Sequence, residues 1–277
     1  MGGFITILLL TLLYTVIDLH PPHCHEAIAT DINDYQEVCG MCRKAAHHHW
    51  FLFRWSPDQG HQTHSCILQH QHPQINNSGQ IAALHRHTVW LNEMSHYETY
   101  CLLRWDRSHL FSLGTPRQTF DIRPLFLKRI NDHGQILLNT PNKSWLYTDN
   151  YFKRLRSPHL IIDINKQGDL LSSVPMGYTP LKINNKGEVL ARQGKNTLLI
   201  GMETLTIPHL TPIDFNDNGQ ILGLLDDIPI LYDKGSLIDL TTYAPTLTTP
   251  TALNNRGDIV GNALLLIRKS EGSEGDL

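Results

Sequence analysis

The sequence predicts an all-β fold, a β-propeller of six or seven unequal blades built from repeated hairpins. Three observations carry that prediction. One short segment recurs seven times in the 277 residues: an aliphatic or aromatic residue, Asn, usually Asn or Asp, any residue, usually Gly, an acid or Gln, then an aliphatic. A weaker apolar pattern, often with Trp, follows most copies. After residue 20 no stretch keeps a helical period, while Gly and Pro punctuate the chain at short intervals.

The copies begin at Ile32, Ile75, Ile130, Ile164, Ile183, Phe215 and Leu253. In the fifth, Ile183 ends one apolar segment and Val189 begins the next, with Asn184, Asn185, Lys186 and Gly187 among the residues between them. Asn and Asp accept local backbone hydrogen bonds, and Gly takes a positive φ without steric penalty. A type I turn closed by a left-handed Gly is a common short hairpin connection, so each copy reads as strand, tight turn, strand. The structural turn residues are Asn76 and Gly79, Asn131 and Gly134, Asn165 and Gly168, Asn184 and Gly187, Asn216 and Gly219, and Asn254 and Gly257. The first copy has Asn33 but carries Gln36 in place of Gly, which predicts a looser or differently closed turn.

The second pattern supplies the outer hairpins. Phe51 to Trp55 is such a run, as are Cys101 to Trp105 with Leu110 to Gly114, and Ser144 to Tyr147 with Phe152 to Leu155. Ile228 to Tyr232 with Leu237 to Leu240 is another. Two hairpins make one four-stranded blade. Successive motif asparagines are 43, 55, 34, 19, 32 and 38 residues apart. The interval of 19, from Asn165 to Asn184, is too short for a second hairpin and predicts a two-stranded blade or a break in the ring.

These segments resemble the HAF-type extracellular repeat, in which an "INNxGQIVG" segment alternates with an "HAFLW…G…DLG" segment. Phe215 to Gly223 and Leu253 to Gly261 match the first half best; Leu103-Arg104-Trp105 with Leu113-Gly114-Thr115, and Gly235 to Leu240, match the second. The resemblance spans about residues 27 to 268. It implies a β-repeat protein that is secreted or part of the cell envelope, and it transfers no catalytic residues.

Three segments are expected: 1–19 as an export signal or membrane-inserting segment, 20–268 as the propeller, and 269–277 as a disordered polar tail. Phe4 to Ile17 is an uncharged apolar run of 14, which suits the core of a signal better than a bilayer span of roughly 20 residues. No Lys or Arg precedes it, and cleavage would fall near His20 to His25. The same run also reads as a strand or helix of the fold. Net charge is −3 with no basic patch, so nucleic acid is excluded as a partner. The partner expected instead is a protein or glycan ligand, bound by a monomer. Contact with membrane would come only through residues 4–17, if they are retained.

All five cysteines precede residue 102, and 13 of 17 histidines lie between His20 and His96. Thiolate and imidazole are the ligands zinc prefers. Cys39, Cys42, His64 and Cys66 are therefore the candidate metal ligands, with zinc as the ion. In an exported chain disulfides compete with this reading, and five cysteines leave one unpaired. Alternatively Cys39 is a plain strand residue and the His47-His48-His49 run a surface feature. Asp214-x-Asn216-x-Asn218-Gly219 opens like a calcium loop, but Leu225 stands where the final carboxylate belongs. The motif and its echo at Asp163 read as turn residues capping their own backbone.

No nucleophile elbow, phosphate-binding loop or dinucleotide fingerprint occurs. The reading is a non-catalytic, exported binding or scaffolding module. The alternative is a metal-binding protein or metalloenzyme using the Cys/His-rich residues 20–101. The metal content of the purified protein separates the two.

Overall fold

The structure, a computed structural model, describes residues 13–45, 49–68, 72–92, 95–116, 124–172 and 177–269. It is a β-propeller. An initial strand, β1 (Tyr14–Asp18), precedes seven units, each led by one copy of the turn. The first unit holds β2 (Cys24–Ile32), β3 (Val38–Lys44), β4 (Trp50–Ser56) and β5 (Gly60–Leu68). The second holds β6 (Gln74–Ile75), β7 (Gln80–Asn92), β8 (Ser95–Asp106) and β9 (His109–Gly114). The third holds β10 (Phe126–Ile130), β11 (Ile136–Thr140), β12 (Lys143–Thr148) and β13 (Tyr151–Leu155). The fourth has two strands among the described residues, β14 (Ile161–Ile164) and β15 (Leu170–Ser172), as the 19-residue spacing predicts. The fifth holds β16 (Thr179–Ile183), β17 (Val189–Gln193), β18 (Asn196–Ile200) and β19 (Thr204–Pro208). The sixth holds β20 (Leu210–Phe215), β21 (Ile221–Leu225), β22 (Ile228–Asp233) and β23 (Ser236–Asp239), followed by a 3-10 turn at Leu240–Thr242. The seventh holds β24 (Pro250–Leu253), β25 (Ile259–Gly261) and β26 (Leu264–Arg268).

The seven units lie on six sheets, because the first two share one eight-stranded sheet joined where Leu68 pairs with His85. All pairings are antiparallel, and each motif is a hairpin between an inner strand and the next: Ile183 pairs with Val189, Phe215 with Ile221 and Leu253 with Ile259.

The last blade is completed by the first strand. β1 adds to β26 with Tyr14 opposite Arg268 and Asp18 opposite Leu264, which joins the two ends of the described chain in one sheet. Tyr14 is buried against Tyr243 in an edge-on contact, and its hydroxyl donates to the Gly257 carbonyl at 3.3 Å. Thus the later part of the apolar run, from Tyr14 to Ile17, belongs to the propeller. The earlier part, residues 1–12, lies outside the described residues, as do His47, His48 and residues 270–277 of the tail.

The core is segmented between blades, as facing sheets require. One cluster at the ring's seam joins Ala29, Val38, Cys42 and Phe53 of the first unit to Ala252, Val260 and Leu265 of the last. Another joins Leu222 and Leu231 to Leu253, Ile259 and Leu266.

The prediction for the first turn is corrected. Gln36 takes φ 64°, left-handed like the six motif glycines at 73–95°, and donates its N–H to the Asn33 carbonyl at 3.2 Å as they do to theirs. Its side chain offsets the strain of a left-handed non-glycine: Nε2 donates to Asp258 of the neighbouring unit at 3.1 Å.

Candidate functional site

The motif residues converge on one mouth of the central channel. Each turn places its first Asn at the end of an inner strand, 2–5% exposed. The Asn Oδ1 accepts the backbone N–H four residues on, from Glu37, Gln80, Gln135, Asp169, Glu188, Gln220 and Asp258. Its Nδ2 donates to the side chain of that same residue in all seven copies, at 2.6–3.0 Å. The motif calls for an acid or Gln at this place because the position must accept that bond.

The second Nδ2 proton leaves the unit. Asn33 donates to the carbonyl of Asn76, Asn76 to Asn131, Asn131 to Asn165, and Asn165 to Asn184. Asn184 donates to Asn216, Asn216 to Asn254, and Asn254 back to Asn33. Seven asparagine side chains therefore close a circle, each joining its own turn to the next blade.

A second circle lies beside it. The backbone N–H groups of Asp34, Asn77, Lys166, Asn185, Asp217 and Asn255 donate to the side-chain oxygen of the equivalent residue in the next unit, each at 2.9 Å. The link from Asp132 to Lys166 cannot form, since an ammonium has no lone pair to accept with. Lys166 instead sends Nζ across the mouth, 2.7 Å from Asp34 and 3.8 Å from Asp132. Burial alone would raise the Asp34 carboxyl. Hydrogen bonds from Lys166, the Asn255 N–H and Asn77, with the Lys166 charge, outweigh it and hold Asp34 below its ordinary range.

Deeper in the channel lies a third layer, two residues before each Asn. A one-residue bulge before Asp31, Arg129, Asp163, Lys182 and Asp214 interrupts the regular register there. Asp163 accepts Arg129 Nη1 at 2.9 Å and the Ile183 N–H at 3.1 Å. Asp214 accepts Lys182 Nζ at 2.7 Å and the Leu253 N–H at 3.0 Å. Asp31 accepts the Ile75 N–H at 2.9 Å but has no ion pair among the described residues. Burial is the main cause pushing its carboxyl up to about 6, against the pull of the Ile75 N–H and the Lys182 charge. Arg129 is held above its ordinary value, chiefly by Asp163.

One residue of each turn remains free of this scaffold's pattern. The position before the motif's Gly, or before Gln36 in the first copy, is exposed in every unit: Tyr35, Ser78, His133, Gln167, Lys186, Asn218 and Arg256. These form a crown over the mouth with a phenol, an imidazole, a hydroxyl, two cations, two amides and no carboxylate. Compared with known proteins, the chain matches no family model and no curated sequence.

The Cys/His candidates fall elsewhere. Cys39 and Cys42 both lie on β3, three residues apart, so a strand of period two points them to opposite faces. Cys42 belongs to the cluster at the ring's seam, and Cys39 to one between the first and second blades with Met41, Leu52, Cys66 and Trp105. His64 sits edge-on to Trp105 with ring centroids 6.0 Å apart, and its Nδ1 is buried without a hydrogen-bond partner. The spacing C-x-x-C chelates from a turn or helix end; on a strand it splits. Among the described residues no three His, Cys, Asp or Glu side chains are grouped as a metal would need. Burial raises the Cys39, Cys42 and Cys66 thiols above their ordinary range.

Sequence reasoning named the first Asn of each turn but not the circle they close, and assigned the second Asn or Asp to its own backbone. Those side chains bond to the neighbouring blade. The charged third layer was missed; its signal was the repeated Asp-aliphatic-Asn at Asp31, Asp163 and Asp214.

Proposed function

We propose that the protein is a non-catalytic, exported β-repeat module that binds a protein or glycan ligand through the crown around the channel mouth, and that it is a divergent relative of the HAF-type extracellular repeats. The observation behind this reading is the division of labour within the turn. The constant residues are spent on one another: Asn, its neighbour and the acid or Gln bond within the ring. The residue that differs from copy to copy is the one exposed to solvent. That arrangement suits display on a rigid support.

A binding screen with the full-length protein against glycans and extracellular proteins tests it. Tyr35→Ala combined with Arg256→Ala changes neighbouring units of the crown and touches the layers only through the 3.6 Å pair of the exposed Arg256 with Asp258. At least a tenfold loss of affinity is expected, with an unchanged unfolding transition. Ligands that bind the double variant equally well would remove the crown from the proposal.

Export is tested by fusing residues 1–30 to a reporter active only outside the cytoplasm, and by sequencing the amino terminus of the exported full chain. Cleavage between His20 and His25 would remove β1 from the last blade. A retained β1 is therefore expected. Among the described residues no helix is long and apolar enough to cross a membrane.

The second reading, a metal protein, has the unpartnered Nδ1 of His64 in its favour. Stoichiometric zinc in the purified protein, lost on His64→Ala, would establish it in place of the first.

A further inference from the structure

Two of the five cysteines share one face of the first sheet at the ring's seam. In the register of β2 and β3, Cys24 lies opposite Lys44 and Ala27 opposite Cys42, with a bulge between Cys24 and Glu26. Residues 42 and 44 share a face of β3, so Cys24 points to the same side as Cys42. Cys42 is part of the seam cluster that includes Leu19, Phe53, Val260 and Leu265, and Cys24 packs against that cluster; burial first and the neighbouring Cys24 second push the Cys42 thiol up. Cys24 is half-buried, within reach of a solute, while Cys42 is buried behind it. The remaining thiols have other company: Cys39 lies 3.7 Å from the Thr30 hydroxyl and Cys101 lies 3.0 Å from the Ser112 hydroxyl, while Cys66 packs with Cys39.

We infer that Cys24 and Cys42 form a cross-strand disulfide when the folded protein meets a disulfide oxidant. The Cys24 thiolate attacks one sulfur of the external disulfide and releases the first external thiol. The Cys42 sulfur, giving up its proton, then attacks the Cys24 sulfur of the mixed disulfide and releases the second. Two cysteine thiols are oxidised and one external disulfide is reduced to two thiols. The bond ties β2 to β3 at the point where the ring closes. There the Ala29 N–H donates to the Asn262 carbonyl of the last unit, and the Thr251 hydroxyl donates to the Ala29 carbonyl at 2.7 Å. Oxidation thus locks together the two strands of the first unit that lie beside its seam with the last.

The test incubates the native full chain with oxidised glutathione, blocks remaining thiols with N-ethylmaleimide and maps the peptides without reduction. The expected product is about 2 Da lighter before blocking, the mass of two thiol hydrogens. It should carry one linkage, between Cys24 and Cys42, while the other three cysteines are blocked after denaturation. Cys24→Ser, at a half-buried position, should melt as the wild type does and show no mass loss. A linkage between any other pair, a Cys24→Ser chain that still loses the two hydrogens, or a native chain in which Cys24 and Cys42 both remain blocked would overturn the inference.

Discussion

The unit at Asn165 has two strands and the unit at Asn216 has four, yet both make the same inner contacts. Asn165 donates to Asp169 at 2.9 Å and to the Asn184 carbonyl at 3.1 Å; Asn216 donates to Gln220 at 2.6 Å and to the Asn254 carbonyl at 2.9 Å. Their cores differ. The short unit packs in a small cluster of Leu137, Leu146, Ile161 and Ile164. Phe215 and Ile221 of the long one lie with Leu190, Ile207, Leu210 and Ile230, and Leu222 on its other face joins a further cluster. The difference separates two jobs. Holding the ring needs only the inner hairpin and its turn, while the outer strands supply apolar burial. A blade can therefore lose its second hairpin and keep its place in the circle.

The strongest way to break this comparison is Asn216→Ala against Asn165→Ala. Asn216→Ala strips partners from Gln220, which is buried, and from the Asn254 carbonyl, and should destabilise by about 3 kcal/mol. Asp169, the corresponding partner in the short unit, is exposed and can turn to water, so Asn165→Ala should cost about 1–2 kcal/mol. Urea unfolding of both variants measures the gap. Equal losses would mean that the ring bonds matter independently of the core around them.

The next test sharpens the turn itself. Gly219 and Gly168 have φ of 75° and 95°, and the space around a Cβ at Gly219 is ordinary, with Leu199 Cδ2 at 3.9 Å. Gly219→Val should therefore cost about 2 kcal/mol through backbone strain alone, and Gly168→Val a similar amount despite its smaller core. Unequal values, read from thermal unfolding, would show that the outer hairpin sets the rigidity of the inner turn.

The same separation explains what was legible in the sequence. Turn chemistry is local, so Asn and Gly at fixed spacing revealed six hairpins, Asn33 between its aliphatic neighbours the seventh, and the gap between Asn165 and Asn184 the missing outer strands. Contacts between turns are not local. Asp34 meets Asn255 across 221 residues and Lys166 across 132, distances over which one chain offers no pairing signal. The Cys-x-x-C was legible as chemistry, but its meaning depended on Cys39 and Cys42 lying on one strand, where alternation separates them. The apolar run before Asp18 was ambiguous for a further reason: Tyr14 to Ile17, which pairs with β26, is as uncharged as a signal core.

The channel layer offers a pH test. Asp163 and Asp214, from the short and the long unit, each face a cation; Asp31 in the first unit does not. Its carboxyl is raised from 3.8 to about 6, chiefly by burial, so between those values the folded state holds a proton that the unfolded state has released. Its contribution to stability is favourable below about pH 4 relative to pH 7, and is lost as pH rises through 6. Asp31→Asn should remove that slope. At pH 8 it should stabilise by about 1 kcal/mol, since relief of the charge exceeds the loss of one of two accepted backbone bonds. Melting temperatures of both proteins from pH 4 to 8 give the answer. A slope unchanged in the variant would assign it to other carboxylates.

The smallest effect is expected at the first turn, the only motif without glycine. Gln36 carries the strain of a left-handed backbone, about 1 kcal/mol, and recovers it through the bond to Asp258. Gln36→Gly removes strain and bond together. Asp258 is fully buried but keeps the Asn254 amide at 3.0 Å and the Arg268 N–H at 2.9 Å, so it is not left bare. The two changes should cancel to within about 0.5 kcal/mol. Gln36→Ala keeps the strain and loses the bond, and should cost about 1 kcal/mol. Urea unfolding of the pair separates the terms. If Gln36→Gly stabilised by a full unit, the side-chain bond would contribute nothing. If Gln36→Ala were as stable as the glycine variant, the positive φ would not be a strain, and the recurrence of glycine at the other six turns would need a cause other than backbone conformation.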